Sequence, residues 1–166
     1  SKLAQLDKFI KEANNGLQFD PFNAGKCIIT YRDNNDGNAG KVVEATISGT
    51  SISLGTPSEF KDSVQQSPVI AFDPNNEGKL VVVYADGGDD GLGGGGGTGD
   101  NVSCKIGTLT GGSFSWGDEN VLDTNQDGDL RVIFDPDPEA SGIFLATYAD
   151  GNNSNYLTHV LCQMGL

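Results

Sequence analysis

One phrase occurs three times in this chain, and that repetition constrains the fold more than any other feature. Phe19-Asp20-Pro21 is followed by an apolar run ending Tyr31-Arg32-Asp33. Phe72-Asp73-Pro74 is followed by Leu80-Val81-Val82-Val83-Tyr84-Ala85-Asp86, and Phe134-Asp135-Pro136 by a run ending Tyr148-Ala149-Asp150. A period of roughly 50–60 residues marks a repeat architecture, in which each unit is too small to bury its own apolar face and must stack on its neighbours.

Inside a unit the apolar pattern is that of short strands bounded by Gly, Asn, Asp and Pro. Strand A is expected at 16–20, 69–73 and 130–135. An Asp-Pro turn follows, because Asp before Pro favours extended backbone and the later Gly supplies a positive φ. Strand B is the run ending in Tyr-x-Asp. Strand C is expected at 41–47, 102–109 and 157–164, and strand D at 51–54 and 113–116, with tails to 60 and 122. The phrase Ile47-Ser48-Gly49-Thr50-Ser51-Ile52-Ser53-Leu54-Gly55 returns as Leu109-Thr110-Gly111-Gly112-Ser113-Phe114-Ser115-Trp116-Gly117, a tight hairpin signal between C and D. Four antiparallel strands in about 50 residues form one blade of a β-propeller, so the expected fold is all-β and propeller-like.

The divisions are an N-terminal segment 1–15, blade 1 at 16–66, blade 2 at 67–125 and blade 3 at 126–166. Blade 3 stops where its strand D should begin. Residues 1–15 read either as a displaced strand D, from the spacing of Leu3 and Phe9, or as a short helix, from Leu3, Leu6, Phe9, Ile10 and Ala13. Propellers typically need about 4–8 blades. A homodimer closing six blades is therefore expected, with a piece of a longer propeller as the alternative.

Composition excludes several classes. The net charge of −13, with ten scattered cationic residues of which only Arg32 and Arg131 are arginine, opposes nucleic-acid binding. No apolar stretch approaches a membrane span. Three cysteines (Cys27, Cys104 and Cys162) lie in strand patterns at unrelated spacings, so buried free thiols are expected rather than disulfides or zinc. His159, the only histidine, is expected in a buried structural position, and no nucleophile elbow or marked carboxylate pair points to catalysis. The chain reads as a non-enzyme.

The B–C connections carry the polar groups. Asp33, Asn35 and Asp36 fall in the first, Asp86, Asp89 and Asp90 in the second, and Asp150, Asn152 and Asn153 in the third. On a propeller they would gather on one rim, able either to bind sugar hydroxyls or a cation or simply to be solvated turns. A glycine-rich run at 91–99 enlarges the second connection. Asp123, Asn125, Asp127 and Asp129 match the opening of a calcium loop, although Phe134 stands where the closing acid belongs. The alternatives are Ca2+ and a merely polar connection between blades, with no cofactor at all. The recurring tyrosines are expected to be packed with their hydroxyls satisfied. Trp116 is either a sugar platform or an inter-blade core residue.

The combination of Phe-Asp-Pro, Gly78-Lys79-Leu80-Val81-Val82-Val83-Tyr84-Ala85-Asp86, Asn153-Ser154-Asn155-Tyr156 and the Ile47–Gly55 phrase resembles repeats of tail-fibre and adhesin-like proteins of marine bacteriophages, from Gly16 onward. The resemblance implies a virion or extracellular location and attachment to a host-surface receptor, glycan above all. Other virion proteins are implied as partners, with no membrane insertion. Two further readings are a purely structural virion or filament subunit and, less favoured, a propeller glycosidase.

Overall fold

The computed structural model describes residues 16–66, 68–86, 100–151, 154 and 156–165, with side chains for all of these except 100 and 125–128. The fold is all-β. Eleven strands are described, together with a single 3₁₀ turn at Pro138–Ala140.

Strands β1 (Leu17–Phe19), β2 (Lys26–Asp33), β3 (Ala39–Ser48), β4 (Ser51–Leu54) and β5 (Ser58–Lys61) form a five-stranded sheet in which β4 and β5 share one edge of β3. Strands β6 (Val69–Phe72), β7 (Lys79–Asp86), β8 (Asp100–Thr110), β9 (Ser113–Phe134), β10 (Ile143–Asp150) and β11 (Tyr156–Gln163) form a six-stranded sheet in the order β11-β10-β9-β8-β7-β6. All pairings are antiparallel, and neither sheet closes on itself among the described residues.

The repeat is present in the hydrogen bonds themselves. Asp20, Asp73 and Asp135 each accept at Oδ1 from the amide two residues on, at 2.8, 2.8 and 2.9 Å. Their own amides donate to Lys26, Lys79 and Ile143, starting strand B. Gly25, Gly78 and Gly142 then accept from Ile47, Leu109 and Met164 at the end of strand C. At Gly78 the φ of +72° and the close approach of the Leu109 carbonyl both exclude a side chain. The Asp-Pro phrase is thus a structural punctuation mark.

Departures from the expected blades concentrate between units 2 and 3. The D strand, its tail and the next A strand, expected to be separated by a polar loop at 123–129, run as the single 22-residue strand β9. Its first part pairs with β8 and its last part with β10, with the hand-over at Gln126, which faces both Asp100 and Asp150. Asp129, at φ +55°, falls at a register shift of the β9–β10 pairing, between Arg131 opposite Thr147 and Gly128 opposite Ala149. Between units 1 and 2, by contrast, no described strand crosses residues 62–66 and 68.

The units stack in one direction. Strand β7 is buried on both faces, which is why it reads as an unbroken apolar run. Leu80, Val82 and Tyr84 join Ile28, Val42, Phe60 and Val64 of unit 1, whereas Val81, Val83 and Ala85 join Phe144, Ala146 and Tyr148 of unit 3. Each fully buried side chain of this size stabilises the fold by about 1.5–3 kcal/mol. The corresponding face of β2 and β3, formed by Cys27, Ile29, Tyr31, Val43 and Ala45, is also buried. The outer face of unit 3 is not. Ile133 and Leu161 flank Leu145 there at 65% and 69% exposure, at places where unit 2 has Ala71, Val81 and Ile106 packed inside.

Candidate functional site

Every B strand ends in Tyr-x-Asp, and the antiparallel register sets that end against the start of strand C: Asp33 faces Ala39, Asp86 faces Asn101 and Asp150 faces Tyr156. Three aspartates therefore occupy the same end of their units, but their surroundings differ.

In unit 1 the end is a half-buried ion triad, with Asp36 its exposed member. Lys41 Nζ lies 2.9 Å from Asp33 Oδ2 and 2.5 Å from Asp36 Oδ2. The bond from Lys41 holds the Asp33 carboxyl below its usual range, and the two aspartates hold Lys41 protonated well above its own. The Asn35 amide donates to Asp33 Oδ1 at 3.1 Å, closing the turn. Asp33, Asn35 and Asp36 thus meet at one strand end, with Lys41 as a partner that the sequence reading did not name.

In unit 2 the end is buried. Asp86 is 7% exposed, and its Oδ2 lies 3.4 Å from Lys61 Nζ and accepts from Ser103 Oγ at 3.4 Å. Lys61 also binds both oxygens of Glu119, at 3.1 and 2.8 Å. Asp86 Oδ1 and the Tyr84 hydroxyl are buried without a hydrogen-bond partner. Burial pushes the Asp86 carboxyl up to about 6, reinforced by its hydrogen bond with Glu119 and opposed by Lys61. Burial also works to raise Glu119, but its bonds to Asp86 and Lys61 prevail and hold it at about 2. Lys61 and Glu119 were invisible to sequence reasoning because they lie on D-strand tails 58 residues apart and meet only through stacking. No local motif could have signalled them.

In unit 3, Tyr148 donates to Asp123 Oδ2 at 2.5 Å, and Thr158 Oγ1 donates to Asp150 Oδ2 at 3.4 Å. Burial first, then this bond to Asp123, raises the Tyr148 hydroxyl above its ordinary range. The expectation that the recurring tyrosines find hydroxyl partners therefore holds at Tyr148 and fails at Tyr84.

Asp89, Asp90, Asn152 and Asn153, the glycine run at 91–99 and the segment 1–15 lie outside the described residues. Asp123 and Asp129, expected on a calcium-type loop, lie within strand β9, Asp129 at a register shift of its pairing with β10. The side chains of Asn125 and Asp127 lie outside the description. Among the described residues no three His, Cys, Asp or Glu side chains are grouped to hold a metal.

Three other expectations resolve. Trp116 packs against Phe60 at 5.6 Å and Phe114 at 5.9 Å between ring centroids, and its Nε1 donates to Ser58 Oγ, so it belongs to the junction of units 1 and 2. The three cysteines are free; Cys27 and Cys104 are buried and Cys162 is half-buried. His159 is not the buried structural residue expected of it. It is exposed, because the unit that would cover position 42 in unit 1 or 104 in unit 2 is missing beyond unit 3 among the described residues. No helix among the described residues is long and apolar enough to cross a membrane. No known protein family, curated protein or solved structure matches this chain.

Proposed function

We propose that the chain is a non-catalytic recognition module of the virion-fibre or adhesin kind, built from propeller-like blades, which engages a host-surface receptor through the Tyr-x-Asp ends. Glycan is the leading ligand class. The observation that carries this reading is the one-directional stacking: it buries the apolar faces between units and leaves Asp33, Asn35 and Asp36 of unit 1 and Asp150 of unit 3, with the Thr158 hydroxyl, at corresponding ends. Carboxylates, amides and hydroxyls in such a row are the groups that recognise sugar hydroxyls. The alternative of a glycosidase is disfavoured, since a catalytic pair stands about 5–9 Å apart across a cleft, and Asp86 and Glu119 instead meet on one ammonium inside a junction.

A glycan array with the intact chain, and with Asp33→Ala/Asp36→Ala and a deletion of 88–98, tests it. Binding that weakens at least tenfold in both variants is expected. Blank arrays together with unchanged cell attachment would remove the proposal.

A second reading, a structural subunit of a larger assembly, is favoured by the exposed outer face of unit 3. Strand β11 borders no D strand among the described residues, and Leu157 and Leu161 are 74% and 69% exposed. Open apolar faces of this kind mark association sites, and a second copy meeting this one there would complete the ring. Equilibrium sedimentation should give a dimer that Leu161→Lys returns to monomer; a monomeric parent chain at high concentration would set this reading aside.

A further inference from the structure

We propose that one proton shared by Asp86 and Glu119 latches unit 1 to unit 2, so that this junction is stronger in a mildly acidic medium than at neutrality. The arrangement is a count of charges in a space only partly open to water, where the Asp86 side chain is buried and those of Lys61 and Glu119 are about a quarter exposed. Lys61 comes from β5 of unit 1, Asp86 from β7 and Glu119 from β9, and the lysine reaches both carboxyl groups across the junction. Two ionised carboxylates on one ammonium would leave a net negative charge beside the buried Tyr84. A charge so placed is costly unless it is paired.

Among the described residues, strands β7 and β8 bring no further cation to it. From β8, Ser103 offers one long bond to Asp86 Oδ2, and the Cys104 thiol is held neutral by burial, pushed up to about 12. Lys105, the nearest further cation on that strand, donates to the Phe60 carbonyl at 2.8 Å. On β7 itself the Tyr84 hydroxyl is uncharged and forms no bond to Asp86. Asp86 Oδ1 is left as a buried oxygen without a donor. A proton on the pair satisfies it, converts two acceptors into a donor and an acceptor, and leaves one carboxylate facing one ammonium.

The direction with pH follows from the two carboxyls. Asp86 moves from its ordinary 3.8 up to about 6, so its contribution is fully present below 3.8 and is lost as pH rises through about 6. Glu119 moves from 4.5 down to about 2, so its contribution is present above 4.5 and is lost as pH falls through about 2. The contributions overlap near pH 4, where the pair holds its single proton.

The test is urea unfolding of the full chain from pH 4 to 8, beside Asp86→Asn, which mimics the protonated acid without titrating. From Asp86 the unfolding constant of the parent chain should rise on the order of 100-fold across this range, and the variant should lack that rise. Parallel profiles for the two proteins would overturn the latch. Should the variant not fold, carboxyl ¹³C titration of the parent chain decides the matter: an Asp86 midpoint near 6 supports the proposal, and one in the ordinary aspartate range ends it.

Discussion

The two junctions of the stack use one position in opposite ways. Lys61 and Asp123 occupy corresponding places in the ladders, opposite Gly40 and Val102, and each reaches the Tyr-x-Asp end of the next unit. At the junction of units 2 and 3 the carboxylate of Asp123 accepts the Tyr148 hydroxyl. At the junction of units 1 and 2 the ammonium of Lys61 has no lone pair to offer Tyr84, and the lysine gathers Asp86 and Glu119 instead. A conserved backbone geometry is therefore compatible with a neutral hydroxyl contact or a charged plug. The backbone differs as well. Strand β9 passes through the second junction, while no described strand crosses the first, which is held by Phe60 against Tyr84 and Trp116 and by backbone bonds from Gly16 to Pro68 and from Gln65 to Ala85.

The largest expected effect tests that mechanical difference. Phe60→Ala and Phe144→Ala should each cost about 3–5 kcal/mol, the range for emptying a buried aromatic site. Their hydrogen-exchange patterns should separate: Phe60→Ala is expected to release the amides of β1–β5 while units 2 and 3 stay protected. Phe144→Ala should weaken units 2 and 3 together. Equal loss in all units for Phe60→Ala would break the comparison.

Next comes Gly78→Ala, expected to cost more than about 1 kcal/mol from the positive φ, with the Leu109 carbonyl adding a clash. Chemical denaturation measures it, and an unchanged midpoint would mean that the Asp-Pro turn tolerates a different geometry.

The hydroxyl contrast is smaller and sharper. Tyr148→Phe should cost about 0.5–1.5 kcal/mol, the worth of an ordinary hydrogen bond. Tyr84→Phe should be neutral or stabilising, since it deletes a buried hydroxyl that has no partner. Thermal melts of the pair suffice, and equal losses would contradict the distinction between the junctions.

The smallest effect belongs to the half-buried triad. Lys41→Met should change stability by about 1 kcal/mol or less, as partly exposed ion pairs do, and the difference from the parent chain should shrink with added salt. A loss comparable to that of Phe60→Ala would mean that the first unit relies on its rim as heavily as on its core.

Much of this molecule is local. Asp-Pro turns, Gly49 and Gly111 hairpins, the unbroken apolar β7 and the alternating β10 are written in short windows of sequence, because turn chemistry and side-chain periodicity act within a few residues. Recurring phrases at intervals of roughly 50–60 residues also dictated that the units resemble one another and must stack. Tertiary structure alone decided the rest. Residues 123–129 are polar enough to read as a loop, yet pairing on both sides of Gln126 draws them into β9, since ladder hydrogen bonds outweigh weak local preference. The meeting of Lys61, Asp86 and Glu119 likewise depends on which unit lies against which, and no window of sequence contains that relation. Charges are placed by the chain, but whether they face water or one another is settled only when the sheets close over them.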